Sequence, residues 1–394
     1  MLSETTLPSF QSAIADAGLD GWLLFDFRGT NPIAGGLLGF GHLMLTRRIF
    51  VWVPREGTPV AVTHAIEQAP WARWPAAWRK EVYSSWRTLE AAVGALVAGR
   101  RVAMEYSPGD AVPYVDRVPG GVLDLVRAQG ATIATSGELV SRLFAVWTPA
   151  QLDAHRRAAE IIADVARRAL TLAGERARGA TPLHEHELQQ WILDAFARAG
   201  LERPDHGPNV SVGAHAANPH YEPSAAAPQA IREGDVVLLD LWAAFAGTPH
   251  ADQTWMASVG APSERAVSVW TAVRDARDAA IALLTERVAA GAPVRGAEAD
   301  DAARAVIEAR GFGPYFVHRT GHSIDARELH GSGPHLDNLE SRDERLLIPG
   351  VGFSIEPGIY VPGEIGMRSE VNAYVGEEGL VVTPVEYQRD LLVV

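Results

Sequence analysis

Two glutamates constrain this chain most. The run Phe353-Ser354-Ile355-Glu356-Pro357-Gly358-Ile359-Tyr360 is followed by Gly366-Met367-Arg368-Ser369-Glu370, which puts Glu356 and Glu370 fourteen residues apart in apolar, strand-like sequence. Proline fixes φ and removes a backbone donor, so Glu356 is expected at the end of a strand, facing a turn. Arg368 and Glu370 have the same parity and would face one side of a strand. A Glu-Pro pair alone is most often a solvated turn. The residues upstream change that reading.

Asp240 closes the apolar run Val236-Val237-Leu238-Leu239, Asp252 lies in His250-Ala251-Asp252-Gln253-Thr254-Trp255, and His322 lies in Gly321-His322-Ser323-Ile324-Asp325. In chain order the candidates are Asp240, Asp252, His322, Glu356 and Glu370. Hard divalent ions take oxygen ligands, and carboxylates with one imidazole suit Mn²⁺ first, then Co²⁺ or Zn²⁺. About four negative charges roughly balance two divalent ions. Such a pair, at about 3.5–4 Å, can hold a bridging hydroxide and polarise a carbonyl.

The order and the local sequences resemble the pita-bread metallopeptidases of the methionine aminopeptidase, aminopeptidase P and prolidase group. The matching stretches are Leu239-Asp240-Leu241-Trp242, Ala251-Asp252-Gln253-Thr254, Thr320-Gly321-His322-Ser323-Ile324, Ile355-Glu356-Pro357-Gly358 and Met367-Arg368-Ser369-Glu370. Together, in this order, they are specific. The resemblance is strong over 150–394 and weak before that. Asp240 and Asp252 are twelve apart where the family pattern has eleven, Ser323 replaces a glycine, and His330 follows His322 by eight rather than seven. One-residue loop insertions account for the two spacings.

The resemblance implies a dinuclear peptidase in which Asp240 holds one ion and His322 the other, Asp252 and Glu370 bridge, and Glu356 binds metal and accepts the proton of the nucleophilic water. It implies catalytic roles for Glu356, His330 and His220. It places His220, His318, His330 and Arg368 at the substrate, with Arg368 also orienting Glu370. The extra N-terminal region favours the Xaa-Pro branch, with hydrolysis by a metal-bridging hydroxide. An Xaa-Pro dipeptidase is the first choice. An aminopeptidase P-type enzyme or a carboxypeptidase is the alternative on the same scaffold. A hydrolase of small non-peptide amides and a non-catalytic pita-bread binding protein are the remote ones. Tyr221 and Phe316 are candidates to line the proline ring.

The fold expected is α/β (α+β): a small N-terminal creatinase/prolidase-like α/β domain over 1–148, then a pita-bread catalytic domain over 149–394. Thr148 can cap a helix starting at Pro149. The first domain carries no chemistry of its own, and the resemblance implies that it shapes the cleft and makes a dimer contact. A net charge of −13 disfavours nucleic acid and anionic membranes, and the absence of cysteine excludes disulfides and thiol catalysis. No signal or spanning pattern is evident, so a cytoplasmic protein is expected. The resemblance implies short proline-containing peptides as substrates, and with the tryptophan cluster it implies a homodimer.

Helices are expected at 7–18 (capped by Pro8 or Ser9), 116–129, from Pro149 on, and at 185–199, 263–290 and 300–310. Strands are expected at 22–25, 48–53, 59–63, 101–105, 210–212, 236–241, 254–259, 353–355 and 368–375. Trp71, Trp74 and Trp78 have the spacing of a helical stripe, with Trp86 nearby, for core packing or for an interface. His42, His64, His155, His184, His186 and His335 have no chemical context and read as structural. His206 is ambiguous.

Overall fold

A computed structural model describes residues 1–40, 43, 45–202 and 206–394, so His42 lies outside the described residues. The chain divides into two compact units, Met1–Phe144 and Ala145–Val394.

The first unit runs α1 Leu7–Asp16, β1 Gly21–Phe27, α2 Pro32–Leu38, β2 Arg48–Pro54, β3 Val60–His64, β4 Arg79–Tyr83, α3 Trp86–Val97, β5 Arg101–Met104, α4 Gly120–Ala128, β6 Thr132–Thr135 and α5 Gly137–Leu143. The strands form one sheet in the order β4-β3-β2-β1-β5-β6. The expected hairpin of β2 and β3 is present, with Phe50 opposite Val62. Alternate β1 residues serve opposite faces, as period two requires: Trp22 and Leu24 join one apolar cluster, Leu23 and Phe25 the other. α1 begins after Thr6, not at Ser9, and no side chain caps it. The helix expected over 116–129 is shorter because Pro119 stands at its N-cap. The tryptophan stripe is not an α-helix. A 3-10 turn covers Ala69–Arg73, and Trp74 is extended. The three indoles still meet edge-on in series, at 5.3 and 4.9 Å, with Trp71 and Trp78 buried. Trp86 is 54% exposed.

The second unit repeats helix, helix, strands. First come α6 Pro149–Ala177, α7 Glu185–Arg198, β7 Asn209–Val212, β8 Val236–Ala243 and β9 Ala251–Ser258. Then come α8 Glu264–Ala289, α9 Gly296–Ala309, β10 Ser323–Ile324, β11 Gly352–Ile355, β12 Gly358–Val361, β13 Ile365–Arg368, β14 Val371–Val375, β15 Leu380–Thr383 and β16 Leu392–Val393. Thr148 caps α6 through Gln151, with Pro149 at its start, and Ser263 caps α8.

The sheets are β16-β9-β8-β7, β10-β11-β14-β15 and the hairpin β12-β13. β8 and β9 pair antiparallel over their whole length, with Asp240 opposite Thr254 and Trp242 opposite Asp252. One face of that ladder, including Leu239, Leu241 and Trp255, packs under α6 and α7. The other face starts apolar, with Val236, Leu238 and Met256, and then turns polar at Asp240, Asp252 and Thr254. The single strand expected over 368–375 is two strands of different sheets, broken at Ser369-Glu370. No helix among the described residues is long and apolar enough to cross a membrane.

Candidate metal centre

The polar end of the β8–β9 ladder and two strand breaks supply the candidate ligands. Asp240 and Asp252 face one side of the same sheet through the register just given. Glu356 follows β11 at the Pro357 break, and Glu370 sits in the break between β13 and β14. The turn expected after Glu356 is therefore a passage from one sheet into a hairpin of another. Arg368 and Glu370 do meet, with Nε and Oε2 3.6 Å apart, but across a strand break rather than by parity along one strand.

His322 precedes β10. Its backbone N–H donates to Ser354 Oγ, and Ser354 Oγ donates to Glu356 Oε1, at 2.9 and 3.0 Å. Gly321 is required there, since a Cβ would lie 2.0 Å from the Ser354 carbonyl oxygen. The His322 Nδ1 side lies 3.1 Å from the Ser323 carbonyl, which fixes it as the N–H. Nε2 then points at Asp252 Oδ2 and Glu356 Oε1, 3.3 and 3.4 Å away. A lone pair facing two carboxylates is stable only with a proton or a cation between them.

Ligand atoms of Asp252, His322 and Glu370, all buried, lie within 4.8 Å of one another. Burial pushes Asp240 up to about 6 even with the Arg368 guanidinium bonded to it. Burial and then Asp252 and Glu356 push Glu370 far up. Burial also raises Glu356, but His322 and Arg368 outweigh it and hold that carboxyl low. Arg368 is the guanidinium common to the cluster, touching Asp240, Glu356 and Glu370. One cation against these crowded acids leaves a deficit of positive charge, and the donor set fits divalent metal.

Neighbours that the sequence did not single out order the ligands. Thr254 Oγ1 accepts from Arg368 Nε and donates to Glu370 Oε2, both at 2.7 Å. Asn372 Oδ1 accepts from the Asp252 backbone N–H at 2.8 Å. Thr254 lies two residues from Asp252 on one face of β9, and Asn372 lies two residues after Glu370, the only sequence signal they give.

The other candidates are placed unevenly. His330 is exposed, with its ring 4.1 Å from that of His322. Though it reaches the surface, a protonated His322 beside it and then partial enclosure of the ring hold its pKa below the usual histidine range. His220 is exposed and electrostatically coupled to His330. His318 Nδ1 meets the Arg319 carbonyl at 2.7 Å and its Nε2 the Tyr360 hydroxyl at 2.9 Å. Phe316 is core, 3% exposed beneath Arg304, and the half-buried Tyr221 donates its hydroxyl to Glu185. Trp242 is half-buried on the ligand face of β8.

His155, His184 and His335 are engaged within the fold, with His155 held between the His250 carbonyl and Thr383. His64 accepts the Ile66 N–H, and His186 Nδ1 is buried without a partner. His206 lies beside Glu222 at the surface.

Comparison with known proteins bears on the whole arrangement. The chain is 35% identical to a probable dipeptidase PepE of Mycobacterium tuberculosis over 173 residues, 44% of this chain and 42% of the relative. The chain spans about half the length of the curated relatives it matches. Its structure is similar to that of dipeptidase PepE from Mycobacterium ulcerans, with TM-score 0.75 and 24% identity over 99% of this chain and 97% of the other. It is also similar to a prolidase from Thermococcus sibiricus, with TM-score 0.69 and 25% identity over the full length of both. These are pita-bread folds, as expected. The sequence pattern of metallopeptidase family M24 matches residues 153–377, and the chain belongs to that family.

Proposed function

We propose that this protein is an Xaa-Pro peptidase working with two divalent ions, Mn²⁺ first, and that dipeptides are its preferred substrates. The observation that carries the reading is the convergence of Asp252, Glu356 and Glu370 on His322 Nε2, with Asp240 completing the set through Arg368. The prolidase likeness over the full length of both chains supports the proline preference. When bound, the ions would lower the pKa of a water and polarise the scissile carbonyl.

The chain's own residues do the rest. Asp240, Asp252, His322, Glu356 and Glu370 would hold the ions. Glu356, kept ionised by its cationic neighbours, accepts the proton of the attacking water. The amide nitrogen before proline is tertiary and departs only when protonated, so a donor must reach it. The exposed His220 is the candidate for that task, and His330, beside His322, would hydrogen-bond the substrate. Trp242 offers an apolar wall for the ring. Arg368 holds the ligand carboxylates in place through Thr254 and Asp240. His318 fixes the Tyr360 hydroxyl.

Values of kcat/KM for Ala-Pro, Ala-Pro-Ala and Ala-Ala, with Mn²⁺ present, test this. Ala-Pro cleaved far faster than Ala-Ala is expected, and equal rates would overturn the proline preference. A tripeptide preferred tenfold and losing its first residue would make the enzyme an Xaa-Pro aminopeptidase; release of the last residue would make it a carboxypeptidase. We also propose a homodimer. Sedimentation at micromolar concentration showing only a 42.3 kDa species would exclude it.

A further inference from the structure

Glu185 is the first residue of α7 and is 1% exposed. Among the described residues no arginine or lysine pairs with it. Its carboxylate instead collects donors from the chain on either side of the segment that carries His220. The Val212 N–H, at the end of β7, donates to Oε1 at 2.8 Å. His215 Nδ1 lies 3.1 Å from both oxygens. The Tyr221 hydroxyl donates to Oε2 at 2.6 Å, and the Tyr221 ring stacks on that of His215 with centroids 4.3 Å apart. Burial and the Glu185 charge raise the Tyr221 pKa, which keeps the phenol a donor.

The same segment is fixed at two further points. A Cβ on Gly366 would lie 1.7 Å from the Ala216 carbonyl oxygen, so the 3-10 turn Gly213–Ala217 sits directly on β13, the strand that ends in Arg368. Asn209 Nδ2 donates to the Pro219 carbonyl at 3.2 Å, and Asn209 stands opposite Asp240 in the ladder. His220, whose N–H donates to Asn218 Oδ1, is left as the exposed tip of a loop whose base is pinned. A carboxylate is costly to bury unless several donors meet it, and here all of those donors come from one loop.

We propose that Glu185 is a positioning residue of the active centre, whose carboxylate closes the loop 212–221 into one conformation and so sets where His220 meets the substrate. This rests on the reading of His220 as a substrate contact. Among the described residues the side-chain partners of Glu185 are Val212, His215 and Tyr221, none of them a candidate metal ligand.

The test uses the Mn²⁺-loaded enzyme and Glu185→Gln, with Tyr221→Phe as a milder variant should the first fold poorly. Glutamine keeps the shape but turns an NH₂ towards groups that donate. Full metal content is expected, with kcat/KM for Ala-Pro reduced about tenfold, mainly through kcat, because a loosely held proton donor loses alignment. Amide hydrogen exchange over 212–221 should quicken while β8 and β9 stay protected. In a His220→Ala background the Glu185→Gln change should add less than about twofold, since the two act through one contact. A full tenfold loss in that background, loss of metal from the single variant, or unchanged exchange in the loop would each overturn the proposal. If the wild type cleaves no Xaa-Pro bond, the functional reading fails, while the exchange measurement still decides whether Glu185 holds the loop.

Discussion

Each unit buries acid, and the two do so in opposite ways. In residues 1–144 the carboxylate of Glu105 is fully enclosed. Trp22 Nε1 donates to one oxygen at 2.5 Å and Asn31 Nδ2 to the other at 2.8 Å, with the Ser136 hydroxyl 3.4 Å from the first. Asn31 in turn caps α2 with its own oxygen. Among the described residues these side-chain partners are all neutral. In residues 145–394 the carboxylates face one another and a histidine lone pair, and one guanidinium serves most of them. An acid answered by neutral donors braces a fold; acids answered mostly by one another wait for a cation. The first arrangement is complete as it stands and the second is not.

The largest effect should separate the two centres by activity. Glu356→Gln is nearly isosteric and should leave the circular dichroism spectrum unchanged while lowering kcat by about a thousandfold or more. Glu105→Gln should leave kcat/KM within about twofold. Equal losses in both would erase the distinction.

The next effect is on stability against pH. Burial outweighs the Trp22, Asn31 and Ser136 hydrogen bonds and pushes Glu105 up to about 7, from 4.5. A raised folded-state pKa gives a contribution fully present below 4.5 that is lost as pH rises to about 7. That loss is about 3 kcal/mol and flat above. Urea unfolding at pH 4.5, 5.5, 7 and 8 should show the fall in the wild type, and the difference from Glu105→Gln should isolate it. A difference that does not vary with pH would count against the assignment.

Metal should stabilise only the second centre. Mn²⁺ at about a hundred times its Kd should add about 2.7 kcal/mol per bound ion to the wild type and to Glu105→Gln alike, and much less to Asp252→Asn. Elemental analysis should find two ions per chain, and a chelator should abolish activity that Mn²⁺ or Co²⁺ then restores. The smallest effect sharpens the comparison within the centre. Thr254→Ser keeps the hydroxyl between Arg368 and Glu370 and should stay within about twofold, whereas Thr254→Val should cost about tenfold or more.

What could be read from the sequence follows the same division. Asp240, Asp252, Glu356 and Glu370 stand out because acids in apolar strand sequence need a reason to be there, and the strands and helices around them are strongly periodic. Thr254, Asn372 and Glu185 are ordinary residue types whose meaning depends on which strand lies opposite and where a loop returns. No local pattern encodes that. His318 was legible as close to the centre but not as fully bonded, because its partner Tyr360 is 42 residues away. The tryptophans failed for another reason. The spacing of Trp71, Trp74 and Trp78 is also met by a 3-10 turn followed by extended chain, and the edge-on ring contacts hold that path without any helix.

The unbroken pairing of β8 and β9 has a practical consequence for engineering. The ladder, not the connection between its strands, fixes where Asp240 stands relative to Asp252. The connection from Ala244 to His250 closes on itself, with Thr248 bonded back to the Phe245 carbonyl through both its N–H and its hydroxyl, and Ala246 and Gly247 are exposed at its tip. A peptide tag or reporter spliced between Ala246 and Gly247 lengthens the hairpin without moving a ligand, whereas a single residue added inside either strand would turn one aspartate to the opposite face of the sheet.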